Sequence, residues 1–188
     1  MANFYKENKY YKKSIKYYSL VLKKINNDHD IVSEIFYRKG TSYERLGDWE
    51  NAEKNLKESL KIKPDQAHVI NYLAYSWIDK GINLDKGLEM LIKANSLHED
   101  DGYIIDSLGW AYYAKKDYVK AEKFLQRAVE LLPRDPIIHD HYGDNLWMLK
   151  KIIQARYIWK GLLKLDKAEQ KLKDQVNKKL IFGITNKL

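Results

Sequence analysis

Residues 102–133 read GYIIDSLGWAYYAKKDYVKAEKFLQRAVELLP, and this stretch decides the fold. Ile105, Leu108, Ala111 and Tyr112 fall at i, i+3, i+6 and i+7, which is one face of a helix. Ala121, Phe124, Leu125, Ala128 and Leu132 fall on one face of a second helix. Lys115-Lys116-Asp117 makes the turn between them, with Asp117 placed to cap the second helix. Small residues at Gly109, Ala121 and Ala128 let the two helices approach closely. Pro133 ends the hairpin because it has no N–H for the ladder. Asp135-Pro136 then starts another helix, Asp as N-cap and Pro in the first turn.

The unit recurs. Gly40, Ala74, Gly109 and Gly143 are spaced by 34, 35 and 34 residues, and Ala52, Gly87, Ala121 and Ala155 by 35, 34 and 34. Pro64 and Pro133 lie 69 apart, two such periods. One period shared by separate small or special positions is the signature of a solenoid of helical hairpins.

The series Leu108-Gly109, Tyr112, Ala121, Ala128 and Pro133 resembles the tetratricopeptide repeat. Residues 33–66 carry it as Gly40, Tyr43, Ala52, Ser59 and Pro64. Residues 67–101 carry Leu73-Ala74, Trp77, Gly87 and Ala94, with one extra residue in the Gly81–Asp85 turn. Residues 136–166 carry Tyr142-Gly143, Leu146 and Ala155, with Leu162 where Ala is usual. The resemblance covers about residues 1–166. It implies an all-α, right-handed superhelical α-solenoid of helix-turn-helix hairpins: a partial hairpin at 1–30, repeats at 33–66, 67–101, 102–135 and 136–166, and a basic capping helix and tail at 167–188. NYLAYSWIDKGINLDKGLEMLIKA (71–94), Asp106-Ser107-Leu108-Gly109-Trp110 and His141-Tyr142-Gly143-Asp144 are similar, more narrowly, to the C-terminal part of Gram-negative envelope and lipoprotein scaffolds with such repeats. Many of those proteins carry an export signal, which is not found in this chain, nor is an N-terminal Cys. The expected location is therefore cytoplasmic as written, and periplasmic or outer-membrane-associated if a longer form supplies a signal.

Composition agrees with a globular helical chain: 45% hydrophobic, 32% charged, 3 Pro and 9 Gly among 188 residues. With no Cys there is no disulfide or thiolate chemistry. The net charge of +8 is not evenly spread. Residues 1–30 carry seven Lys against three acids, and residues 164–188 the same, whereas residues 31–163 carry 20 of each sign. Lys-rich, Arg-free ends read as solvated faces more readily than as a nucleic-acid site, so nucleic acid is disfavoured. No apolar run reaches the roughly 20 residues of a membrane span.

At the N-terminus, Ser14, Tyr18 and Val21 stand where Ala121, Leu125 and Ala128 stand in the quoted repeat. Met1 then aligns with Leu108, so the chain opens halfway through a first helix. The second helix of that hairpin should have an exposed apolar side, open to upstream repeats or to self-association. The Asn26–Asp30 stretch is a longer connection. At the other end Leu165, Ala168, Leu172, Val176 and Leu180 keep helical spacing; the last residues, IFGITNKL, have no placement.

In this family the first helices of successive hairpins line a concave groove. One row across it holds Tyr37, Asn71, Asp106 and Asp140. The next holds Thr41, Tyr75, Trp110 and Asp144, and the third Glu44, Ile78, Tyr113 and Trp147, with Asp79 alongside. The groove residues expected to take a partner are Asn71, Tyr75, Asp79, Asp106, Trp110, Tyr113, Asp140, Asp144 and Trp147. Aromatics give rigid apolar area and carboxylates favour cations. The expected ligand is a protein segment with Lys or Arg between apolar residues. Replacing Trp110 and Asp106 by Ala should abolish capture and leave helicity intact. The family's chaperone-tail clamp, built from Lys and Asn, is absent at Tyr37, Thr41, Asn71 and Tyr75.

Nothing suggests catalysis, a cofactor or a metal. His139 and His141 at i, i+2 point to different sides of a helix. His141 and Asp144 at i, i+3 make two candidate ligands without a third, read as a helix-surface hydrogen bond. Asp100-Asp101 sits in a turn where capping explains it. The leading expectation is a non-catalytic protein-binding scaffold. The competing ones are an anionic-surface or nucleic-acid binder using the Lys-rich ends, and a repeat module separated from a larger enzyme or envelope protein.

Overall fold

A computed structural model of the chain describes residues 1–25 and 29–184. The longer connection expected at Asn26–Asp30 falls largely outside the described residues, as do the last four residues of the tail. Among the described residues the regular structure is helical. The chain divides into two compact units, Met1–Leu73 and Ala74–Leu188.

The first unit contains α1 (Ala2–Glu7), α2 (Tyr11–Leu22), α3 (His29–Arg45), α4 (Trp49–Ile62) and the beginning of α5 (Ala67–Asp79). Ala52 and Leu56 are fully buried on α4. A Cβ added at Gly40 would lie 2.9 Å from Leu56 Cγ, so glycine there sets how closely α3 approaches α4. Where the repeat pattern has Ala, this unit uses hydrogen-bonded serines. Ser59 Oγ donates to the Ser33 carbonyl at 2.9 Å and Ser33 Oγ donates to the Ser59 carbonyl at 3.0 Å. Ser14 Oγ donates to Ser42 Oγ at 3.1 Å, tying α2 to α3. Each hydroxyl has a partner, so the substitutions bury no orphaned polar group. On α2, Leu20 and Val21 are 43% and 40% exposed, beside an open cleft of about 430 Å³ that Tyr17, Lys24 and Ile25 also line.

The second unit contains the end of α5, then α6 (Leu84–Leu97), α7 (Gly102–Ala114), α8 (Tyr118–Leu131), α9 (Pro136–Met148), α10 (Ile152–Leu162) and α11 (Gln170–Phe182). Ile105, Leu108, Ala111, Ala121, Leu125 and Ala128 are all buried, as the 3.6-residue period requires. Asp117 accepts from the Lys120 N–H, and Asp101 and Asp135 each accept from the two N–H groups that open α7 and α9. Leu146, Ala155, Trp159, Leu162, Ala168 and Val176 form the last core, joining α9 and α10 to α11.

One turn closes every hairpin. The N–H groups of Tyr10, Asp48, Ile82, Asp117 and Lys151 reach back five residues to the carbonyls of Tyr5, Tyr43, Trp77, Tyr112 and Leu146, at 2.8–3.0 Å. The residue before each, Lys9, Gly47, Gly81, Lys116 or Lys150, lies in the left-handed region. This is a Schellman-type helix stop. The short α1–α2 pair obeys it too, so it is built as a hairpin despite its length. The extra residue of the Gly81–Asp85 turn is taken up at Asn83, a left-handed N-cap inserted before α6.

Candidate functional site

Eight of the nine residues expected to meet a partner belong to the second unit. Tyr75 and Asp79 lie on α5, Asp106, Trp110 and Tyr113 on α7, and Asp140, Asp144 and Trp147 on α9. Asn71 belongs to the first unit, where its Oδ1 is buried and makes no hydrogen bond. Asp79 is exposed, Tyr75, Trp110, Tyr113, Asp140 and Trp147 are half-buried, and Asp106 and Asp144 are buried.

The aromatics stack. Trp110 lies 4.4 Å from Tyr113, centroid to centroid, and 4.1 Å from the His141 ring on its other side, with interplanar angles of 7° and 13°. Tyr75 stands 6.3 Å from His141. Burial, then the charges of Asp79 and Asp106, raise the Tyr75 hydroxyl far above the usual phenol range. Tyr113 is raised by burial, then by Asp144.

His141 corrects the sequence reading. It is not a helix-surface partner of Asp144; it is buried, and its Nδ1 lies 3.0 Å from both carboxylate oxygens of Asp106 on α7. Burial works to lower its pKa. The Asp106 charge and hydrogen bond, with Asp140 and Asp144 beyond, outweigh burial and raise it. The imidazole ring lies flat on the Trp110 indole, 4.1 Å between centroids. Sequence distance does not single out the pair: Asp106 and His141 are 35 residues apart, one more than the 34-residue period, which aligns Asp106 with Asp140.

The three rows read from the sequence hold no lysine or arginine, but the folded chain brings one to them. Lys179 of α11 enters the face. Its Nζ donates to Asp140 at 2.8 and 2.9 Å and to Asp144 at 2.7 and 2.8 Å. Lys179 is 20% exposed, Asp140 15% and Asp144 11%, so the cluster is mostly out of water. The shifts of the two partners run the same way. Burial, then the neighbouring Asp140, push Asp144 up further than Lys179 pulls it down. Burial lowers Lys179, but two carboxylates raise it more. One ammonium thus serves two carboxylates, and His141 stands against a third, Asp106. Trp147 is also held by its own chain. It lies 5.6 Å from Trp159, and Gly183 packs on its indole so closely that a Cβ there would collide. The expected Trp110/Asp106 double replacement therefore does not isolate binding, because losing Asp106 strands a buried His141.

Among the described residues no group of three or more His, Asp or Glu is arranged to hold a metal, and no helix is long and apolar enough to cross a membrane.

Comparison with known proteins agrees with this architecture. Residues 33–66 and 103–135 match the tetratricopeptide repeat family, so the chain carries tetratricopeptide repeats there. It is 31% identical over 110 residues to a TPR repeat-containing protein of Pseudomonas aeruginosa. That match takes 58% of this chain and 18% of the relative, so the chain spans less than a fifth of the relative's length. Its fold is that of a thermophilic TPR protein of Thermus thermophilus, with TM-score 0.74, 18% identity and 91% of both chains covered. MamA from Desulfovibrio magneticus RS-1 superimposes with TM-score 0.69 at 19% identity, covering 90% of this chain and 97% of that one. PilF of Pseudomonas aeruginosa gives TM-score 0.75 at 12% identity, covering 97% and 82%.

Proposed function

We propose that the protein is a non-catalytic interaction scaffold whose second unit receives a partner segment carrying lysine between apolar residues. One observation carries this reading: the Asp140/Asp144 pair with Trp147 beside it already holds such a segment, the Lys179 turn of α11. Two carboxylates four residues apart on one helix repel each other and are poorly solvated, so the site favours a compact ammonium. The neighbouring half-buried Tyr75, Trp110 and Tyr113 add apolar area for a peptide's aliphatic side chains. The exposed Asp79 extends the negative edge.

Selection of random peptides against the folded chain tests it. Sequences with Lys flanked by apolar residues should be enriched, and Asp79→Asn with Tyr113→Ala should weaken their binding about tenfold or more. Enrichment of acidic peptides, or equal binding to the variant, would refute the assignment. Membership of a longer envelope scaffold is the accompanying proposal on location. Fractionation of cells with an antibody to this region checks it, and an exclusively cytosolic signal would end it.

A further inference from the structure

Resting on that reading, we infer that α11 is a displaceable internal occupant of the partner site, and that a partner binds by inserting its own lysine in place of Lys179. Three features of the helix lead here. First, its inward stripe, Leu172, Val176, Lys179 and Leu180, is itself a lysine set among apolar residues, the chemistry the face selects. Second, α11 is lightly anchored. Val176 is its one buried side chain, against eight buried residues on α7 and seven on α9. Its hold otherwise comes from half-buried Leu172 and Leu180, the Lys179 bridges and the Gly183 contact. Third, the helix begins after an extended residue, Glu169 (φ −63°, ψ 148°), and its N-cap makes no side-chain hydrogen bond. Gln170–Phe182 can therefore detach there while Leu162, Leu165 and Ala168 stay in the core.

The electrostatics determine what can replace it. Asp140 and Asp144 cannot both stay ionised in a mostly dry site without a cation, and burial with mutual repulsion already raises Asp144. An apolar or acidic segment would leave the pair unpaired. A segment bringing an ammonium exchanges like for like, and its net gain comes from contacts α11 does not make, chiefly on Tyr75, Trp110 and Tyr113. A tethered segment competes at an effective concentration in the millimolar range, so the intact chain discriminates against weak ligands. Binding affinity falls in proportion to the fraction of molecules that are open.

The test uses the full chain and a labelled peptide of residues 169–184 (EQKLKDQVNKKLIFGI), read by fluorescence anisotropy, with amide hydrogen exchange on the same samples. Lys179→Ala should bind the peptide about tenfold or more tightly than the wild type. Lys179→Arg, which keeps the charge, should stay near the wild type. Peptide bound to the wild type should raise exchange in 170–182 without raising it in α7 or α9. If both proteins bind equally, or α11 stays protected with peptide bound, displacement is overturned and the lysine-binding face survives. If neither protein binds, both readings fall. Should Lys179→Ala not fold, the exchange arm on the wild type decides alone.

Discussion

The buried Asp106–His141 pair makes a sharp forecast for Asp106→Asn. Asparagine keeps the shape and still offers an oxygen to the ring, so the change removes charge rather than volume. A hydrogen bond to a charged group contributes about 1.5–3 kcal/mol. Here the ring nitrogen lies 3.0 Å from each carboxylate oxygen, in a buried position. For a chain of this size that corresponds to a fall in Tm of roughly 3–12 °C. The loss must depend on pH with a definite sign. The folded pKa of His141 is raised, so folding takes up a proton where the unfolded histidine, near 6.5, has lost it. The pair's stabilisation is present below about 6.5 and is lost as pH rises through the higher folded pKa. Without the Asp106 charge, burial dominates and the ring should titrate below 6.5. Two assays check this: thermal unfolding at pH 6 and pH 9, and NMR titration of the His141 ring. The variant should be clearly less stable at pH 6 and closer to the wild type at pH 9. A wild-type midpoint at or below 6.5, or a stability gap that ignores pH, would refute the reasoning.

Two further outcomes follow from the hairpins themselves. Lys116→Gly should stabilise the protein by about 1 kcal/mol, because Lys116 sits at φ 63° where a Cβ is strained and glycine is not; urea unfolding measures it, and a loss would contradict the assigned turn. Ser59→Ala should cost about 1–2 kcal/mol by removing the donor to the Ser33 carbonyl, and Ser33→Ala with Ser59→Ala should cost less than the two single changes together, because the two hydroxyls also lie 3.0 Å apart and share that contact. A double variant as unstable as the sum of the single ones would show that the serines are not coupled.

Much of the architecture was legible in order of residues. The 34-residue period put Gly109, Ala121 and Ala128 in the seam, since a helix's 3.6-residue repeat fixes which side chains share a face; that Gly109 meets Leu125 there is seen in the structure. Asp117 and Asp135 announced their caps because capping spans only two or three residues. The same local logic found α11 from Leu172, Val176 and Leu180, but it also carried the helical spacing back to Leu165 and Ala168, which lie outside α11, before the extended Glu169. It also put Trp110, Asp106, Asp140 and Asp144 on one face, but it could not say whom they face. Asp106 meets His141 across 35 residues, and Lys179 meets Asp140 and Asp144 across 39 and 35. Periodicity determines which face of a helix is apolar. Which charge is neutralised depends on where a long side chain from another helix ends, and only tertiary packing decides that. The sequence thus determined an acidic, aromatic row; the folded chain decided that part of it is already held by the protein's own lysine.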